Sequence, residues 1–254
     1  MTPILSIFFS YLRYTLAGAL TVVFFCQSLV PLANSAVEPI YLYASQTGRP
    51  TLDQGEGGGN PFASALVELL DRDTLTFEAF RTQLADLTEL KSRGFQRPEV
   101  LARVDLGTWR LLPKPSTERR VALVWVFSDY SASGAATSLP GAKFDMHRVA
   151  VAFNRAGFEV QTIIDPDRAK IGGVLREFAD RSEASDIAVL YVTGHGVEIE
   201  GSIYLLPGDY PFSQGSDLLN ERAVRLTELG SALRARRANF IFYGGCRDNP
   251  FGTR

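Results

Sequence analysis

From residue 120 onward the chain alternates apolar runs with segments of helical period, and this rhythm limits the folds open to it. Val121 to Phe127 is a continuous apolar run, the pattern of a strand buried on both faces. Phe158 to Ile164, Ile187 to Val192 and Asn239 to Tyr243 read as three more strands. Between them, Phe144 to Ala156 predicts a helix with Met146, Val149, Ala150 and Phe153 turned inward and Gly157 as its stop. Asp165-Pro166-Asp167 starts another, carrying Ile171, Val174, Leu175 and Phe178, and Val224 to Arg236 predicts a third. Val197 to Leu206 reads as a hairpin turning at Glu200-Gly201. Strands joined by helices of this length need right-handed crossovers, so the expected class is α/β with a mostly parallel sheet.

The residues before 120 hold a different set. Ile40 to Ala44 is a short strand candidate. A glycine-rich loop, residues 55–60, follows, and Asn60 caps a helix that opens with Pro61. Phe62, Leu66, Val67, Leu69 and Leu70 form its apolar face. Thr76 to Ser92 predicts a second helix, with Thr76 as cap and Gly94 past the end. Residues 99–112 read as a strand, and residues 113–117 as a linker. No Gly-Lys-Ser/Thr follows Gly57-Gly58-Gly59, so the glycine run is not a phosphate loop.

Residues 1–36 form a leader by their pattern. Arg13 is the one charge before the apolar stretch Leu16 to Leu32, and Ala33-Asn34-Ser35-Ala36 supplies small residues. This reads as a secretory signal peptide cut after Ser35 or Ala36. The other reading is an uncleaved anchor, since 17 residues approach the lower limit of a membrane span. Either way the remainder, 37–254, is exported as one domain, and any membrane contact runs through an uncleaved leader. Phe24-Phe25 before Cys26 argues against a lipidated cysteine. The net charge of −2 gives no nucleic-acid footprint. Two histidines and two cysteines, far apart, fit no metal spacing, and no cofactor is expected.

With the leader removed, Cys246 has no disulfide partner. An odd cysteine in an exported chain is a reactive thiol or an intermolecular bridge. It stands in Gly244-Gly245-Cys246-Arg247-Asp248-Asn249-Pro250-Phe251, just past the last strand. His195 stands 51 residues earlier in Gly194-His195-Gly196, just past Ile187 to Val192. A thiol and an imidazole beyond the ends of two buried strands can meet at one sheet edge, as a nucleophile meets its general base. The blander readings are a buried inert thiol and a packing histidine. His147, mid-helix, has only the surface reading.

Residues 120–251 resemble the large-subunit half of a caspase-like domain of the peptidase C14 family, related to metacaspases. The segments that carry the resemblance are Val126 to Tyr130, Leu139 to Asp145, Ala156 to Val160, Gly194-His195-Gly196, Tyr204 to Pro207 and Cys246 to Phe251, in that order. Gly245, Gly244 and Asp248 depart from the local caspase signature. Residues 37–115 resemble the small-subunit half, through Tyr41 to Gln46, Gly58 to Leu66 and Gln96-Arg97-Pro98. The resemblance thus implies a circularly permuted caspase-like fold. It has three layers, with helices on both faces of a sheet of about six strands, and its small half precedes its large half (120–254).

The resemblance also implies roles. Cys246 is the nucleophile of an endopeptidase and His195 its base. The backbone N–H groups of Gly196 and Cys246 form the oxyanion hole. Gly244 occupies the position two before the cysteine, where metacaspases carry an aspartate and cleave after Arg or Lys. Its lack of a carboxylate puts basic specificity in doubt. Asp145 and Asp129 could supply charge to a substrate pocket, or merely cap a helix and a loop. Ser45 is a further substrate-binding candidate. The implied partner is a peptide or protein substrate; pairing of two copies and regulation by calcium stay open. Two rivals stand beside the peptidase: a caspase-like interaction module without activity, and a flavodoxin-like binding domain. The second leaves the His195 and Cys246 loops unexplained.

Overall fold

Strand β3 (Arg120–Val126) is buried along its whole length and anchors the sheet. This computed structural model describes residues 37–252 apart from 56, 73–74, 102–105, 107–108, 112–113 and 135. The leader expected over residues 1–36, with Cys26, lies outside the described residues, as does much of the strand expected over 99–112. The described residues make one compact unit.

On one side β3 pairs in parallel with β4 (Glu159–Ile164), and on the other with β5 (Ile187–Thr193). Next to β5 lies β9 (Ala238–Tyr243), also parallel. The sheet then continues with the beginning of the chain. Strand β1 (Ile40–Tyr43) pairs in parallel with β9, Ile40 beside Phe240 and Tyr43 beside Tyr243. The three-residue β2 (Glu99–Leu101) closes the edge antiparallel to β1. The order is β2-β1-β9-β5-β3-β4, six strands and mostly parallel, as expected.

Helices cover both faces. On one, α1 (Pro61–Leu70), α2 (Phe77–Lys91) and α3 (Pro140–Arg155) bury Phe62, Leu66, Phe80, Leu84, Val149 and Phe153 against Val124, Val189 and Phe242. On the other, α4 (Arg168–Glu183) packs Ile171, Leu175 and Phe178 beside Leu123, Leu190 and Ile241. Asn60 caps α1 as expected, accepting the N–H of Phe62 at 2.8 Å, with Pro61 in the first turn. Thr76 caps α2 by accepting the N–H of Ala79 at 3.2 Å.

Two expected boundaries are corrected. Helix α3 begins at Pro140, not Phe144. Leu139 gives it no side-chain cap; instead the Asp53 carboxylate accepts the N–H groups of Gly141 and Ala142, each at 2.9 Å. That anion complements the positive end of the helix. Nor is Val224 to Arg236 one helix. Val224–Arg225 form β8, pairing with β7 (Ser202–Leu205), which in turn pairs with β6 (Gly196–Ile199). Only Leu226–Gly230, α6, is helical there. Beyond it the N–H groups of Arg234 and Ala235 are taken by Ser182 Oγ and Asn239 Oδ1, so the ladder cannot continue. A four-residue helix α5 (Leu219–Arg222) precedes β8.

Candidate active site

The ladders of β1, β9, β5 and β3 run out at one edge of the sheet. Val126 lies beside Thr193, Val192 beside Tyr243, and Tyr243 beside Tyr43. Four loops therefore emerge together at the carboxyl ends of parallel strands, where open α/β sheets place their sites. The loop after β9 carries Cys246 and the loop after β5 carries His195. Because Val192 pairs with Tyr243, each residue stands three positions past a paired strand residue.

The two central loops touch. A Cβ on Gly196 would meet Tyr243 Oη at 1.8 Å and the Cys246 carbonyl oxygen at 2.9 Å. A Cβ on Gly245 would lie 3.0 Å from the Gly194 carbonyl oxygen. Glycine at 196 is what lets the histidine loop lie on the cysteine loop. The phenol of Tyr243 donates to the Cys246 carbonyl at 3.0 Å and fixes the turn.

Each flanking loop holds one of the two side chains. From the loop after β3, the Thr137 carbonyl lies 2.8 Å from His195 Nε2. A carbonyl only accepts, so Nε2 carries a hydrogen, and in the neutral form of the ring Nδ1 is the acceptor. Tyr130, on the same loop, accepts the backbone N–H of His195 and sets its ring edge-on to the imidazole, 4.4 Å between centroids. From the loop after β1, the Thr51 N–H donates to Cys246 Sγ at 3.3 Å. The sulfur is half-buried. Burial pushes the thiol above its ordinary range, hydrogen bonds from Thr51 pull it back, and the charge of Asp248 adds to the rise.

Arg247 ties the cysteine loop to the first strands. Its guanidinium is buried and donates to Glu198 at 2.7 Å, to Thr47 Oγ1 at 2.6 Å, to the Ser45 carbonyl at 3.2 Å and to Glu99. It also lies 4.2 Å from the centre of the Tyr43 ring.

The expected pocket residues divide. The Gly244 carbonyl accepts from Asn60 Nδ2 at 3.1 Å and from Thr51 Oγ1 at 3.2 Å. A Cβ there would lie 2.9 Å from Thr193 Oγ1 and 3.0 Å from Thr193 Cβ. Asp145 is fully buried. It accepts the Asn60 N–H at 2.9 Å and Arg148 Nε at 2.7 Å. Burial pushes its carboxyl up to about 7, against the pull of Arg148 and the Asn60 N–H. Asp129 is exposed and holds the Ser131 N–H at 2.9 Å, which keeps its carboxyl below the usual range. Ser45 is buried and donates to the Arg49 carbonyl at 3.0 Å. His147 is exposed on α3, as expected.

Thr51, Asp53, Tyr130 and Thr137 were not singled out from the sequence. Thr137 acts through a carbonyl, which no side chain announces. For Asp53 one signal existed: α3 lacks a local cap. Among the described residues no group of three or more His, Cys, Asp or Glu could hold a metal ion.

The family model described as the caspase domain, Peptidase C14, matches residues 119–253. No curated protein matches the chain.

Proposed function

The chain belongs to the caspase-domain family of peptidases, Peptidase C14, and from that premise we propose that it is an exported cysteine endopeptidase with Cys246 as nucleophile and His195 as base. The observation that carries this reading is the contact between the two loops, each with its side chain prepared from outside. Thr137 leaves Nδ1 of His195 free to accept a proton. Thr51 gives Cys246 Sγ a hydrogen bond.

The chemistry follows. Nδ1 takes the thiol proton, and the thiolate attacks the peptide carbonyl carbon. Negative charge moves to the carbonyl oxygen, which the N–H groups of Gly196 and Cys246 receive; one such donor contributes roughly 2.7–4 kcal/mol to lowering a barrier. The C–N bond breaks as His195 returns the proton to the leaving amine. Water then attacks the thioester, again with His195 as base, and frees the thiol. No cofactor enters.

Specificity follows from the pocket candidates. Gly244 brings no carboxylate, and the buried Asp145 already has Arg148 as counter-ion. Neither therefore supplies a carboxylate for Arg or Lys before the cleaved bond; of the candidates, the exposed Asp129 is left for that role.

The order of the halves is a circular permutation in this reading. Residues 37–115 take the place of the small half, and the parallel pairing of β1 with β9 supports it. A chain so ordered needs no cut between halves to become active. Titrating active sites in uncleaved protein tests this; activity that arises only after cleavage overturns it.

The peptidase itself is tested with the full-length protein on a peptide library. The wild type hydrolyses members of it and Cys246→Ala none. A thiol-reactive peptide probe labels Cys246 stoichiometrically, and His195→Ala abolishes labelling. Equal turnover by Cys246→Ala overturns the reading. Absence of both turnover and labelling in the wild type favours an interaction module.

A further inference from the structure

Thr51 lies far from Cys246 in sequence, yet its atoms surround the sulfur. Its N–H donates to Sγ at 3.3 Å, its hydroxyl oxygen lies 3.4 Å from Sγ, and its carbonyl oxygen 3.9 Å away. The same hydroxyl lies 3.2 Å from the Gly244 carbonyl oxygen. A hydroxyl has one hydrogen to give, so it must choose between the two. The Gly244 carbonyl has a second donor, Asn60 Nδ2 at 3.1 Å, and stays satisfied whichever way the hydroxyl turns. A neutral thiol is a weak acceptor, and the hydrogen belongs to Gly244. A thiolate is a strong one, and rotation about the C–O bond brings the hydrogen to it.

We propose that Thr51 is a thiolate-stabilising residue whose hydroxyl turns from the Gly244 carbonyl to Cys246 Sγ when the sulfur ionises. This rests on the reading of Cys246 as the nucleophile. The sulfur's proton goes to His195 Nδ1; Thr51 keeps its own hydrogen and only changes acceptor. The nearest positive charge in sequence cannot do this work, because the Arg247 guanidinium is taken by Glu198 and Glu99. Asp248 acts against ionisation. Among the described residues, the hydrogen bonds to Sγ come from Thr51.

The test reads the sulfur without needing turnover. In the full-length protein, the rate at which iodoacetamide alkylates Cys246 is followed against pH, by mass spectrometry of the peptide that carries it. Thr51→Val keeps the N–H and the shape but loses the hydroxyl. It is expected to raise the apparent thiol pKa by about one unit, an approximately tenfold loss of alkylation rate below that pKa. Thr51→Ser restores the wild-type profile. Thr51→Ala, also without a hydroxyl, shifts the profile like Thr51→Val and decides the matter should the valine variant not fold. A folded Thr51→Val or Thr51→Ala whose profile superimposes on the wild type overturns the assignment. A shifted profile in a protein that hydrolyses no peptide keeps Thr51 as the thiol's tuning residue and removes only the peptidase.

Discussion

The phenol oxygen of Tyr130 accepts the backbone N–H of His195 at 2.8 Å and donates to the Leu206 carbonyl, also at 2.8 Å. One buried hydroxyl thus joins the loop after β3, the histidine loop and the end of the hairpin formed by β6 and β7. Tyr130→Phe keeps the ring against the imidazole and takes the hydroxyl away from the part-buried His195 N–H and the buried Leu206 carbonyl. Such a loss costs about 1–3 kcal/mol. We expect a lower thermal midpoint and slower labelling of Cys246 by a peptide probe. An unchanged midpoint and labelling rate would mean that the hydroxyl does not hold His195.

Arg247 is the second structural hinge of the site. Its guanidinium satisfies the nearly buried Glu198 and reaches Glu99 on the edge strand. Arg247→Ala leaves Glu198 buried without a counter-charge, and breaking a buried pair in this way costs about 3–5 kcal/mol. Chemical denaturation should show that loss. The double variant Arg247→Ala with Glu198→Gln should recover part of it, because the stranded charge is gone.

The carboxyl of Asp145, held up to about 7 by burial, gives stability a pH dependence of fixed sign. The folded protein holds this proton more tightly than the unfolded chain, whose aspartate ionises near ~3.9. The contribution of this group to stability is therefore greatest below that value and is lost as pH rises through about 7. Asp145→Asn should flatten this part of the profile, read as the thermal midpoint between acid and neutral pH. A profile that Asp145→Asn leaves superimposed on the wild type across the same window would contradict the assignment.

Gly244 is small because Thr193 stands where its side chain would go. Gly244→Asp should destabilise the fold by about 1–3 kcal/mol through overpacking, without conferring cleavage after Arg or Lys. Adding Thr193→Ala should relieve the contact and restore part of the midpoint. Robust cleavage after basic residues by Gly244→Asp alone would show that the pocket needs only that carboxylate.

Much of the frame was legible in the chain itself. The apolar runs of β3, β5 and β9 read as buried strands because a strand covered on both faces has little room for polar side chains. Asn60 with Pro61, and Thr76, announced the starts of α1 and α2, since a capping oxygen must sit beside the N–H groups it serves. His195 and Cys246 could be picked out because glycines and strand ends mark them locally. The helix expected over Val224 to Arg236 failed for a reason outside its own sequence: Val224 and Arg225 find partners in β7, and Asn239 and Ser182 take later N–H groups.

By itself, then, the sequence determined most of the strands and helices, though not the segment from Val224 to Arg236, and which thiol and imidazole lie past strand ends. These are properties of neighbouring residues, and local period and capping reveal them. The tertiary structure alone decided what surrounds that thiol and imidazole. Thr51 reaches Cys246 across nearly the whole chain, Asp53 caps a helix begun at Pro140, and a carbonyl at Thr137 sets the tautomer of His195. Such contacts depend on strand order and register, and no local pattern encodes which loops a folded sheet will bring together.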